Sequence, residues 1–142
     1  MIEAVDRATA GYGKATVAVA GSRARHLPIE IEILNYLLSK NLSVEENIFC
    51  EVPKKDIPSE YILIEKTGSS RENLIDQAMI AIQSISRESL STAMQLNEEV
   101  KEAMDEITEL GEIFRCECNS DYNFTNTQTK EYRYQAVFNL FY

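Results

Sequence analysis

The sequence contains 142 residues, which is the length of one typical domain. Its 44% hydrophobic and 26% charged residues are typical of a globular protein. The 14 lysines and arginines are outnumbered by 23 aspartates and glutamates, so the formal net charge is -9. An acidic surface repels phosphate groups, which excludes sequence-independent binding of DNA or of an anionic membrane as the main activity.

Histidine and cysteine, two residue types that are common in catalytic and metal sites, are scarce in this sequence. The one histidine, His26, lies in a basic, linker-like stretch, and the three cysteines form no CxxC pair. The sequence therefore indicates no histidine-based triad, no zinc ribbon and no disulfide framework. We expect three free thiols in a reducing compartment, no export signal, no catalytic residues, and neither a cofactor nor a metal.

Residues 1 to 28 differ in composition from the rest of the chain. They include three of the five glycines and many other small residues, and they lack a hydrophobic period. We predict an N-terminal arm over residues 1 to 28 that is poorly ordered or docked separately. Residues 29 to 142 are predicted to form a single α/β domain.

The first half of this domain is predicted to contain one helix and three strands. Apolar residues at helical spacing predict a helix from Glu30 to Lys40. Alternation predicts a strand from Ile48 to Val52, and a polar turn separates it from a second strand, Tyr61 to Lys66. The stretch Thr67 to Asn73 is predicted to be a loop. Isoleucines in the stretch Asp76 to Ile85 favour a third strand over a helix.

The second half contains the clearest helix and two further strands. Apolar residues recur at steps of three and four from Glu88 to Leu110, and a glycine follows. The strands are predicted at Glu112 to Asn119 and at Lys130 to Tyr142, the second with strict period-two alternation. Cys116 and Cys118 share one face of their strand, and we interpret them as small buried thiols of the core.

This order of elements predicts the fold class. We expect an α/β (α+β) fold in which a mixed β-sheet of about five strands carries both helices on one face. The opposite face would still carry the apolar residues Tyr61, Leu63, Val137 and Phe141. An exposed apolar sheet face is typical of a surface for a protein partner or for self-assembly.

Four short segments, in the order in which they occur, resemble a known protein family. They are Cys50-Glu51-Val52-Pro53, the run Tyr61 to Gly68, Ile82-Gln83-Ser84, and the run Tyr132 to Phe138. Together with the helices between them, they resemble the tail terminator proteins of long-tailed bacteriophages, also called neck or tail-completion proteins. The resemblance extends from Ile29 to Tyr142 and leaves the N-terminal arm unmatched.

The resemblance implies a non-enzymatic structural protein of the virion neck that is assembled in the host cytoplasm. Such a protein forms a homohexameric ring at the head-proximal end of the tail tube, where it stops polymerisation and offers a docking surface for the head connector. The implied partners are further copies of the chain, the tail tube protein and the head completion or connector protein. DNA passes through the ring without specific binding, and no membrane is involved.

Candidate interface residues are chosen by type and position. Aromatic residues on an edge strand often anchor interfaces, and arginines beside loops or on solvent-facing positions are good contact residues. Tyr132 and Tyr134 fit a core position beneath the helices equally well. The candidates are Lys54, Lys55, Ser69, Ser70, Arg71, Tyr132, Arg133, Tyr134 and Phe141.

Two alternative functions remain open on the sequence alone. Another ring protein of the phage neck, a stopper or an adaptor, would share the size and acidity, although an adaptor would be mostly helical. A small hydrolase or nucleotide-binding enzyme would use the stretch Gly68 to Asn73 as its loop.

Overall fold

The computed structural model describes residues 8–9, 13–14 and 27–142. Strands β1 (Ala8–Thr9) and β2 (Gly13–Lys14) pair with each other in antiparallel orientation. Apart from Leu27 and Pro28, the other residues of the predicted N-terminal arm, including His26, lie outside the described residues, so the arm stays a prediction.

The domain is built on a five-stranded sheet in the order β3-β4-β5-β7-β6. Strand β3 runs parallel to β4, and the other neighbours are antiparallel, so the sheet is mixed as predicted. None of the helices in the described residues has the length and apolar character of a membrane span. The strands are β3 (Ile48–Phe49), β4 (Glu60–Glu72), β5 (Ile75–Ser86), β6 (Arg115–Asn123) and β7 (Tyr132–Phe141).

Helices α1 (Ile29–Leu38) and α2 (Leu90–Met104) pack on the same face of the sheet, which confirms the predicted arrangement. Their apolar residues form one cluster with alternate residues of β4, β5 and β7, among them Ile64, Ile80 and Phe138. A buried hydrogen bond from Tyr36 Oη to the Ala103 carbonyl, 2.7 Å long, joins the two helices.

The ends of α2 follow from local chemistry. The Ser89 hydroxyl accepts a hydrogen bond from the Thr92 N–H at 3.0 Å and caps the first turn. The predicted helix from Glu88 to Leu110 is divided in the structure, because α2 ends at Met104 and a separate 3₁₀ turn covers Ile107–Leu110. Gly111 follows with φ of 80°, a conformation that favours glycine.

The predicted loop from Thr67 to Asn73 is wrong. Strand β4 continues to Glu72 and pairs with β5 along its whole length, except for a bulge between Lys66 and Gly68. The backbone groups of this stretch are satisfied by β5, so strand pairing outweighs a polar composition. Its side chains are exposed, and the stretch therefore lacks the apolar alternation by which half-buried strands are recognised.

Two smaller expectations also fail. The predicted strand Ile48 to Val52 is reduced to two residues, and Val52 is 43% exposed. Cys118 is exposed rather than buried, because β6 is an edge strand of the sheet. Cys116 is half-buried and packs against the core.

The helix-free face of the sheet carries the other set of alternate residues. Tyr61 is 1% exposed and its ring meets that of Phe49 edge to face, with centroids 6.1 Å apart. Leu63, Val137 and Phe141 are half-buried on the same face. The four apolar residues therefore lie on this face as predicted, but none of them is exposed as the sequence analysis expected.

Candidate assembly interface

The two ends of the sheet differ in chemistry. We call distal the end with the β4–β5 turn and the last residues of β7, and proximal the end at which Glu60, Ser86 and Tyr132 pair across three strands. Among the candidate residues, Ser69, Ser70, Arg71 and Phe141 lie at or near the distal end, Tyr132, Arg133 and Tyr134 lie at the proximal end, and Lys54 and Lys55 are exposed in the loop between β3 and β4.

Arg133 is selected from the sequence as a solvent-facing residue of the last strand, but its side chain is only partly exposed. Its side chain is 22% exposed and donates to Glu131 Oε1 at 2.7 Å and to Gln83 Oε1 at 3.1 Å. Gln83 Nε2 donates to Gln135 Oε1 at 3.0 Å, and Gln135 Nε2 donates to the Tyr122 hydroxyl at 2.5 Å. Arg133 thus belongs to a hydrogen-bonded row that crosses β5, β7 and β6 on the helix-free face.

Glu131 anchors the end of this row. Burial acts to raise the pKa of its carboxyl group, but hydrogen bonds and the positive charges of Arg133 and Arg87 lower that pKa below its ordinary value. Arg87 Nε donates to Glu131 Oε2 at 3.3 Å. Tyr132 and Tyr134 are half-buried on the opposite face of β7, the face that carries the helices, and β7 is an interior strand of the sheet rather than an edge strand.

The distal turn has an unusual residue in it. Glu72 pairs with Ile75, so only Asn73 and Leu74 connect the strands, with φ of 52° and 66°. Positive φ at both positions is typical of a type I′ hairpin turn, in which Asn-Gly is the favoured sequence. A leucine there is strained by its Cβ atom, and Leu74 is also 84% exposed. The turn therefore places an apolar side chain in solvent, and it does so with a backbone conformation that leucine disfavours.

The turn is held by the neighbouring strand. The Asp76 N–H donates to the Tyr142 carbonyl at 2.8 Å, and the Tyr142 N–H donates to the Asp76 carbonyl at 2.9 Å. Strand pairing therefore reaches to within two residues of Leu74. The Leu74 side chain projects from the end of a hairpin whose backbone is hydrogen-bonded to the neighbouring strand. Beside it, Arg71 Nε lies 3.8 Å from Asp76 Oδ1, and the Arg71 side chain is 63% exposed.

Other exposed apolar side chains surround this end of the sheet. Ile75 is 43% exposed, and Phe114, whose N–H donates to the Phe141 carbonyl at 2.7 Å, is 65% exposed. The Arg115 guanidinium stacks on the Phe141 ring at 5.4 Å from the ring centroid. Clustered exposed apolar residues mark interaction surfaces more often than isolated ones do, so the distal end is the better candidate interface.

The free edges of the sheet are less suited to pairing with another chain. Strand β6 has a bulge between Cys118 and Ser120 and carries a salt bridge between Arg115 and Glu117. The outer side of β4 has its bulge next to Lys66. Bulges and charges on edge strands hinder strand addition, which leaves the apolar distal end as the more favourable contact.

The chemistry of an enzyme alternative can be compared with the described residues. They include no group of three or more His, Cys, Asp or Glu side chains that could hold a metal ion. Burial raises the pKa of Cys50 and that of Cys116 to about 12 each, which makes both thiols poor nucleophiles. The stretch Gly68 to Asn73, which an enzyme would use as a loop, is mostly strand.

One carboxyl group has a markedly raised pKa. Burial, a hydrogen bond with Glu112 and the negative charge of Glu112 together raise the pKa of Glu32 to about 7. The two carboxyl groups lie between α1 and the segment that precedes β6. Their pairing predicts that the stability of the domain depends on pH.

The fold was compared with solved structures. It is similar to a chain from a structure described as the virion of the native gene transfer agent particle, with a TM-score of 0.61. A virion protein has this fold. The two chains share 13% sequence identity, and the match covers 77% of this chain and 90% of the other. No family model matches the sequence, and no curated protein matches it.

The residues selected from the sequence and the residues of the distal end overlap only in part. The sequence interpretation selected Ser69, Ser70 and Arg71, which lie on the hairpin, but for a loop that does not exist. It did not select Leu74. The available signal was Asn73, because asparagine favours the first position of a type I′ turn and a strand-like pattern resumes at Ile75.

Proposed function

We propose that this protein is a structural component of a virion and acts as a tail terminator, a homohexameric ring that closes the head-proximal end of the tail tube. The observation that carries the proposal is the fold likeness to a virion chain, which covers 90% of that chain. The four sequence segments that resemble tail terminators support the finer assignment. The proposed partners are further copies of this chain, the tail tube protein and the head completion or connector protein.

A ring explains how a protein without catalysis ends a polymerisation. Identical subunits joined head to tail close into a ring when each contact turns by the right angle, and the ring has two different faces. One face matches the end of the tube. The next tube subunit finds no matching surface on the other face, which is left for the head connector.

The electrostatics fit the passage of DNA. With a formal net charge of -9, the chain repels phosphate groups, so DNA slides through the ring without adhering to it. Lysines are few along α2, whose solvent side carries Glu98, Glu99 and Glu102. We place the assembled ring in the neck of the virion and its assembly in the host cytoplasm.

The terminator role is tested by adding the purified protein to polymerising tube subunits of the virus that encodes it. Tube lengths are measured by electron microscopy, and the mass of the added protein is measured by native mass spectrometry. We expect shorter tubes with a narrow length distribution and rings at one end. Rings that leave the length distribution unchanged would refute the terminator role.

Another connector ring is the second candidate. The five-stranded sheet argues against an adaptor, which would be mostly helical, and leaves the stopper. A stopper would bind the head connector and leave tube length unaffected, so the same experiment, repeated with connector particles, separates the two. A screen for nucleotide binding and hydrolysis addresses the enzyme alternative, and we expect no activity.

A further inference from the structure

We propose that the distal turn is a docking knob that inserts into a groove on a second copy of this chain, with Leu74 buried on the groove floor and Arg71 paired with Glu45 and Glu46. This inference deepens the ring function proposed above and rests on it. It assigns the contact between subunits to particular side chains.

The knob presents one apolar and one cationic group. Leu74 is 84% exposed, and Arg71 makes only a long pair with Asp76, at 3.8 Å. Burying a leucine that is so exposed strengthens association by about 10- to 100-fold. The strain at Leu74 follows from the same role, because glycine would serve the turn better but would offer nothing to a partner.

The groove has matching chemistry. It has a volume of about 380 Å³ and lies where α1 ends. Leu38 is half-buried and Leu42 is 8% exposed, while Glu45 and Glu46 are exposed. Neither glutamate forms a salt bridge with a cation in the residues that the structure describes. The lining residues are Leu38, Asn41, Leu42, Ser43, Glu45 and Glu46.

The groove is held in place by contacts to both helices and the sheet. The backbone N–H and the hydroxyl of Ser43 donate to the two carboxylate oxygens of Glu99 on α2, at 2.9 and 2.8 Å. The Asn47 carbonyl accepts from the Ile62 N–H at 3.0 Å. A groove that is already formed loses less conformational entropy when a partner binds.

A single copy cannot close this contact on itself. The groove loop joins the sheet at Ile62, and the turn begins after Glu72, which is ten residues further along β4. At about 3.3 Å per strand residue, the two are about 30 Å apart. The knob of one copy therefore reaches only the groove of another, and such head-to-tail contacts build rings when they close.

Charge reversal tests the contact in a way that a structural defect cannot imitate. One variant, Arg71→Glu, reverses the knob, and a second, Glu45→Arg with Glu46→Arg, reverses the groove. Each variant alone has one repulsive contact and is expected to associate at least about tenfold more weakly than the wild type. Mixed in equal amounts, the variants form alternating rings in which every knob faces a groove of opposite charge.

Two further variants complete the set. Leu74→Gly removes the apolar group and is expected to dissociate the ring while the subunit remains folded. Lys66→Glu is the matched control, because it makes the same charge change on an exposed position of β4 away from the turn. Circular dichroism checks that every variant is folded, and native mass spectrometry with light scattering measures the assemblies.

The outcomes separate this inference from the ring function. Loss of the ring in both reversed variants, its recovery on mixing and an unaffected Lys66→Glu protein support the contact. Reversed variants that assemble like the wild type, or a mixture that stays monomeric, overturn it, while wild-type rings that shorten tubes leave the terminator role intact. Wild-type protein that remains monomeric at about 1 mM also overturns it, and the tube-length experiment then decides the terminator role separately.

Discussion

Replacing Leu74 by glycine should make the isolated subunit more stable. A leucine at φ of 66° pays about 1–2 kcal/mol that glycine avoids. Glycine loses about 0.5–1 kcal/mol through its greater freedom in the unfolded chain. The loss of burial is small because Leu74 is 84% exposed. The net gain is therefore about 0.5 kcal/mol, or 1–2 °C in Tm.

The comparison with Leu74→Ala isolates the strain. Alanine keeps the Cβ atom and its penalty but removes most of the apolar side chain, so the glycine variant should exceed it by about 1 kcal/mol. The assay is urea unfolding followed by circular dichroism. Midpoints that do not vary with protein concentration ensure that the free energy of the subunit, rather than that of an assembly, is measured.

Equal stability of the glycine and alanine variants would refute the strain argument, because the turn would then tolerate a Cβ atom without cost. A glycine variant less stable than the wild type by more than about 1 kcal/mol would show that Leu74 supports the hairpin. In either case, the strain at Leu74 could no longer be cited as support for a role of this residue in a subunit contact.

Three further predictions concern the interior of the domain. Tyr36→Phe removes the buried hydrogen bond to Ala103 and should destabilise the protein by about 1–2 kcal/mol in urea unfolding. Phe138→Ala empties the centre of the core, where Phe138 is 1% exposed, and should cost about 3–5 kcal/mol by the same measurement. Glu32→Gln should remove a loss of stability that occurs as the pH rises from about 4.5 to about 7, because the folded state raises the pKa of Glu32 and so binds its proton more tightly than the unfolded chain does. Relative to the wild type, the free energy of unfolding of Glu32→Gln should therefore be higher at pH 8 than at pH 5 by about 1 kcal/mol, after allowance for the partial exposure of Glu32.

The predictions for Tyr36 and Glu32 have control variants. Leu38→Ala, at a half-buried position of α1, separates the hydrogen bond of Tyr36 from general weakening of that helix. Glu102→Gln, on an exposed position of α2, removes the same charge as Glu32→Gln and is the charge-matched variant with which the pH profile of Glu32→Gln is compared. Parallel pH profiles for Glu32→Gln and the wild type would contradict the proposed pairing with Glu112.

The sequence by itself determined the elements whose side chains alternate between core and solvent. Strand β7 and helix α2 were recognised because one face of each is buried, so that apolar residues recur with period two in one and 3.6 in the other. The placement of both helices on one face follows from the same pattern, since Ala136, Phe138 and Leu140 all point toward them.

Only the tertiary structure decided the distal half of the β4–β5 hairpin. The side chains of β4 from Thr67 to Glu72 are exposed on both faces, so the composition of this stretch resembles that of a loop, while the backbone pairing that makes it a strand comes from β5. The position of Leu74 at the tip, and the separation of the groove from it, depend on that pairing. An edge position likewise exposes Cys118, because the apolar pattern of a strand does not reveal which strand lies at the edge of the sheet.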